Sequence, residues 1–98
     1  MKLLWSPLAL ERVAEIAAMI AEDRPNVSEH WVEKVFTAVE RLRDFPESGR
    51  VVPELQRAEV REVIHGRYRI IYRVEHEQVA VLTVRHSRQL TGPEDIEP

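Results

Sequence analysis

From Val60 to Arg85 the chain reads as three β-strands joined by turns short enough to make hairpins. Val60–His65 ends at Gly66. Tyr68–Glu75, rich in aromatic and β-branched residues, ends at His76-Glu77-Gln78. Val79–Arg85 follows and is nearly apolar on both faces. Hairpin connections make the pairing antiparallel. A strand that is apolar on both sides belongs inside a sheet. Arginines stand among these apolar residues, where a sheet does not require them. Arginine is costly to bury, and its fork suits phosphate or carboxylate.

Alternation sorts the side chains of the second strand. Tyr68, Ile70, Tyr72 and Val74 share one face, and Arg69, Ile71 and Arg73 share the other. The Tyr/Ile/Val face is expected to meet the helices, which leaves Arg69 and Arg73 on an open face. On the third strand Ala80, Leu82, Val84 and His86 alternate with Val79, Val81, Thr83 and Arg85. Register decides which set lies beside Arg69.

The N-terminal half has helical periodicity. Lys2–Trp5 is a short strand expected at a sheet edge. Ser6-Pro7 starts a helix: serine caps it, and proline in the first turn loses no hydrogen bond. Leu10, Val13, Ile16, Ala17 and Ile20 form its apolar stripe. Arg24-Pro25 ends it, and Asn26 or Ser28 is expected to cap a second helix. Trp31, Val35, Ala38, Val39, Leu42 and Phe45 form the second stripe, which stops at Phe45-Pro46. Trp5, Trp31 and Phe45 are expected to pack in the core or the hairpin. Glu47–Arg50 is a turn, and Val51–Ala58 an irregular connection containing Pro53. The fold class expected is α+β: an antiparallel helical hairpin on one face of a small, mostly antiparallel sheet. Residues 1–98 form a single domain, with 91–98 expected as a flexible tail.

Composition narrows the function classes. A chain of 98 residues supports one core. There is no cysteine, hence no disulfide or thiolate site, which fits a reducing cytoplasm. Met1–Trp5 is too short for the apolar core of a secretory signal, and no apolar run is long enough to span a membrane. A net charge of −3 argues against generic nucleic-acid binding. From Arg50 to Arg88, however, eight arginines face five glutamates, a local excess of +3. A mildly basic sheet opposite acidic helices and an acidic tail points to an acidic partner. His30, His65 and His76 lack metal-ligand spacing, and the three glycines form no phosphate loop, so neither metal nor cofactor is expected.

Four pieces in order carry a resemblance: Trp5-Ser-Pro-Leu-Ala9, Phe45-Pro-Glu-Ser-Gly-Arg50, Arg61-Glu-Val with Tyr68-Arg-Ile-Ile-Tyr-Arg73, and Val84-Arg-His-Ser-Arg88. From about residue 3 to 90 the chain resembles toxins of the ParE/RelE superfamily of type II toxin–antitoxin modules. Trp-Ser-Pro and Phe-Pro-x-x-Gly-Arg are more similar to ParE. The RelE pattern has basic residues, often lysines, on the strand before the Tyr-Arg strand, and many members have a tyrosine in the C-terminal tail. Here Arg61 is present without a lysine, and 91–98 holds no tyrosine.

The resemblance implies a cytoplasmic toxin that inhibits DNA gyrase when free of its antitoxin. It implies a toxin–antitoxin hetero-oligomer, with Arg61, Arg69, Arg73, Arg85 and Arg88 meeting acidic partner residues. The alternative it implies is a ribosome-dependent mRNA endoribonuclease of RelE type. There Arg69 would stabilise charge, His86 transfer a proton and Arg88 hold phosphate, with Glu54 or Glu62 as base. The bland reading of Arg69 and Arg73 is cross-strand pairing with Glu62, Glu75 or Glu77. That of His86 is a strand-end histidine bonded to backbone.

Overall fold

A computed structural model of the chain describes residues 1–96. The order is β1 (Lys2–Trp5), α1 (Pro7–Asp23), α2 (Pro25–Glu40), a 3₁₀ turn (Arg41–Arg43), β2 (Arg50–Val51), β3 (Val60–His65), β4 (Tyr68–Glu75), β5 (Gln78–His86) and a last 3₁₀ turn (Pro93–Asp95). The sheet order is β1-β5-β4-β3-β2. β1 runs parallel to β5 and is an edge strand, as expected. The remaining pairings are antiparallel. The α+β architecture is therefore the one read from the sequence. β2 was not foreseen, since two residues carry no periodicity.

Ser6 starts α1 and also fastens it to the sheet. Its hydroxyl oxygen accepts the Ala9 N–H at 3.0 Å and donates to the Leu82 carbonyl at 2.8 Å. Only Arg24 separates the helices; its φ of −141° and ψ of 75° lie outside the helical region, which proline disfavours for the residue before it. Pro25 then opens α2 at its first position, so neither Asn26 nor Ser28 is the cap. Ser28 lies one turn inside instead, and its buried hydroxyl donates to Ala17 O at 2.6 Å, tying α2 to α1. Two stripe residues fall outside the core: Leu10 and Phe45 are exposed.

The main core lies between the hairpin and the sheet. Val13, Ile16, Val35, Val39 and Leu42 pack against Ile70, Tyr72, Val79, Val81 and Val84. The expected facing of Tyr68, Ile70, Tyr72 and Val74 is observed. Strict alternation fails on β5, where the register shifts: Ile71 faces Thr83 and Tyr72 faces Val81, leaving Leu82 over as a bulge. Val81 and Val84 thus both reach the helices, while Leu82 packs on the opposite face.

That opposite face is not open. Val52, Val60, Ile71 and Ile96 form a second, smaller core with Leu55 and Leu82. It is covered by the loop after β2 and by the C-terminal segment. The expected flexible tail is instead seated on the sheet as far as Ile96, with Thr91 and Ile96 buried; Glu97 and Pro98 lie outside the described residues.

The Phe45–Arg50 turn is held by one tyrosine. The Tyr72 hydroxyl donates to Pro46 O at 2.7 Å and accepts the Gly49 N–H at 3.0 Å. A Cβ on Gly49 would stand 2.5 Å from the Glu62 carbonyl oxygen and 2.6 Å from the Tyr72 hydroxyl, so only glycine fits. Arg61 completes the turn, donating from its guanidinium to the carbonyls of Ala58 at 3.1 Å and Gly49 at 3.0 Å. The Pro-x-x-Gly-Arg signature is thus a folding device.

Candidate functional site

The arginines of the sheet are mostly spoken for. Arg69 is 4% exposed, on the second face. Its guanidinium forks onto both oxygens of Glu54, at 2.7 and 2.9 Å, while Nε donates to Glu62 at 2.5 Å and Nη1 to Gln89 O at 2.8 Å. Glu62 is itself buried and accepts a second cation, Arg50, at 2.6 Å. Thr91 N–H adds a bond to Glu54 at 2.8 Å. The result is a closed acid–base cluster joining β3, β4, the loop after β2 and the C-terminal segment. The two carboxylates suggested as bases hold Arg69 instead.

Electrostatics follow from that geometry. The hydrogen bonds from Arg69 lower the Glu54 carboxyl from 4.5 to about 2; partial burial opposes this and the Thr91 N–H assists. The two carboxylates likewise raise the Arg69 guanidinium above its ordinary value. Glu54 is depressed on folding, so its contribution to stability is complete above its unfolded value of 4.5 and is lost as pH falls through about 2. After allowance for the solvent contact of its side chain, the expected loss is on the order of 2 kcal/mol. Urea melts between neutral pH and pH 2 check this. Glu54→Gln should already be destabilised at neutral pH and should show a shallower acid slope.

The other candidate arginines divide sharply. Arg61 clamps the Gly49 turn, as described. Arg73 donates to Ile96 O at 2.8 Å and lies 3.8 Å from Glu75. Arg85 reaches Leu90 O at 3.0 Å and Asp95 at 3.2 Å. Among the described residues, Arg88 alone of the five is exposed without an acid or a carbonyl to hold.

His86 sits on the helix-facing side. Its ring meets Tyr68 edge-on, with centroids 5.7 Å apart, and Tyr68 meets Trp31 at 5.3 Å. His86 Nδ1 accepts the Arg88 backbone N–H at 3.2 Å. Arg69 and His86 therefore stand on opposite faces of the sheet, and the structure does not bring Arg69, His86 and Arg88 into one site. Sequence reasoning passed over Arg67. The signal lay in the pairing of Tyr68 with His86: it sets the Gly66-Arg67 turn beside Ser87-Arg88. Ser87 N–H donates to Arg67 O at 2.7 Å.

The comparisons with known proteins agree with this fold. Residues 3–91 match the family model described as the ParE toxin of the type II toxin–antitoxin system parDE. The chain belongs to the ParE toxin family. It is 36% identical over 90 residues to the protein named "Putative toxin Y4kP" of Sinorhizobium fredii, covering 87% of this chain and 86% of that one. Among solved structures, it superposes on a chain of the "Chromosomal ParDE TA system from P. aeruginosa" with a TM-score of 0.75, at 18% identity, over 88% of this chain and 95% of that one. A ParE toxin fold thus accounts for both the helical hairpin and the mostly antiparallel sheet. Among the described residues no helix is long and apolar enough to cross a membrane.

Proposed function

We propose that this ParE-family chain is the toxin of a type II pair, neutralised by a cognate antitoxin, and that it inhibits DNA gyrase when free. It acts as a binding protein in the cytoplasm, within a toxin–antitoxin hetero-oligomer at rest. The observation that carries this reading over RNA cleavage is the separation of Arg69 from His86. Cleavage through a ribose hydroxyl needs a base, an acid and a cation around one phosphate. Here Arg69 is neutralised by two carboxylates behind the sheet, and His86 meets Tyr68 edge-on in front of it. Binding to a protein target needs no such convergence.

Titrating antitoxin-free protein into a gyrase supercoiling reaction tests it. Loss of supercoiling, or accumulation of trapped cleaved DNA, is the expected result. No effect at concentrations that arrest growth would remove gyrase as the target and move mRNA cleavage on the ribosome to first place.

A further inference from the structure

The end of the sheet carries a notch around Arg88, the one candidate partner-binding arginine left without an internal partner among the described residues, and the inference rests on the toxin reading of the chain. It is about 320 Å³ in volume and is lined by Arg67, His86, Ser87 and Arg88. Arg67 lies in the β3–β4 turn and Arg88 just past β5. The 2.7 Å bond from Ser87 N–H to Arg67 O fixes these two segments side by side. The turn holding Arg88 is itself braced: His86 N–H donates to the Gln89 side chain at 2.9 Å, and Gln89 N–H to His86 O at 2.9 Å. Two exposed guanidiniums are thus presented from rigid, adjacent backbone.

The chemistry of this lining is one-sided. Arginine only donates. Nδ1 of His86 accepts the Arg88 N–H, so the proton of the neutral ring sits on Nε2, another donor. The Ser87 hydroxyl is able to donate as well as accept. Among the described residues no carboxylate lines the notch, and neither Arg67 nor Arg88 makes an ion pair. This contrasts with Arg50, Arg69, Arg73 and Arg85, each beside an acid of this chain. Like charges held together without an anion repel, and a carboxylate between them would relieve that repulsion with two charge-assisted hydrogen-bond donors.

We infer that the Arg67–Arg88 notch is a docking site for an acidic segment of a protein partner, taking a carboxylate side chain between the two guanidiniums. A nucleic acid suits it less well. Proteins that grip a polynucleotide neutralise several phosphates in a row. This chain has 17 acidic residues against 14 lysines and arginines, and the cations nearest the notch on the sheet are consumed internally. What remains is a short positive spot on a negative protein, suited to one or two carboxylates.

The test is an amide and guanidinium NMR titration of the full chain with three probes: a hexaglutamate peptide, inorganic phosphate and a short single-stranded DNA. The peptide should move the signals of Arg67, Ser87 and Arg88 at the lowest concentration of the three, with the response weakening as salt rises. Arg67→Ala/Arg88→Ala should weaken peptide binding about tenfold or more. Arg57→Ala, which removes an exposed arginine elsewhere, should leave it unchanged, and thermal melts verify that both variants fold. Tighter binding of DNA or phosphate than of peptide would overturn the protein-partner assignment. Shifts spread over the surface, or equal loss in Arg57→Ala, would overturn the site itself. Because no gyrase is present, failure here is distinct from failure of the supercoiling assay.

Discussion

Arg69→Ala is expected to destabilise the fold by about 3–5 kcal/mol, the range for a buried ion pair broken from one side. The whole stability of such a domain is roughly 5–15 kcal/mol. The cost comes from what is left behind. Glu62 has a side chain with no solvent exposure, and would keep only Arg50, whose own side chain is 61% exposed. Glu54 would lose both arms of the fork, and Gln89 O its donor. Urea unfolding followed by far-UV circular dichroism measures the change. The companion variant Glu54→Gln/Glu62→Gln/Arg69→Met removes all three charges together and should recover most of the loss. A loss below about 1 kcal/mol for Arg69→Ala would show that the cluster is solvated and dispensable, as surface pairs are. The same result bears on function: toxicity lost in Arg69→Ala reports unfolding, so it cannot be taken as evidence of a catalytic or contact role unless folding is shown.

Removing residues 93–98 is expected to cost about 2–4 kcal/mol, whereas loss of a flexible tail would be neutral. Ile96 is 3% exposed, and burial of such a side chain is worth about 1.5–3 kcal/mol. Its carbonyl also takes Arg73. Asp95 matters for a further reason. Arg69 and Arg85 are directly paired across β4 and β5, an arrangement that like charges disfavour. Each is neutralised from its own side, Arg69 by Glu54 and Glu62, and Arg85 by Asp95. Truncation strips the acid from Arg85 and leaves the two cations opposed. Melting of the truncated chain against Asp95→Asn separates the electrostatic share from the burial of Ile96. An unchanged melt for the truncation would mean that Ile96 stabilises nothing.

Periodicity made the architecture legible in the sequence. The two apolar stripes, the Ser6-Pro7 start and the hairpin spacing each reflect local rules that tertiary packing did not override. The face assignment of β4 was legible for the same reason, since alternation there is uninterrupted. On β5 it was not, because the bulge at Leu82 adds a residue that leaves no trace in composition. The candidate site was misread at the level of the second face. Nothing in the pattern of Val51–Ala58 or 91–96 announces that these segments fold back over Arg69 and Arg73. The apolar residues they bury on this face, Val52, Leu55 and Ile96, are too sparse to show a period. An arginine on a strand looks the same whether it awaits a partner or already holds Glu54. Only the loop that returns the acid to it decides.

The cluster at Arg69 has a consequence on the scale of descent. A carboxylate at 62 or 54 is best compensated while the guanidinium at 69 is present, and the guanidinium while both acids are. Each single replacement leaves a charge of the cluster with fewer partners than it was buried with. The three positions are therefore expected to change together more readily than one at a time. Arg67 and Arg88, each in water and answerable to a partner outside the chain, are free to drift with that partner instead.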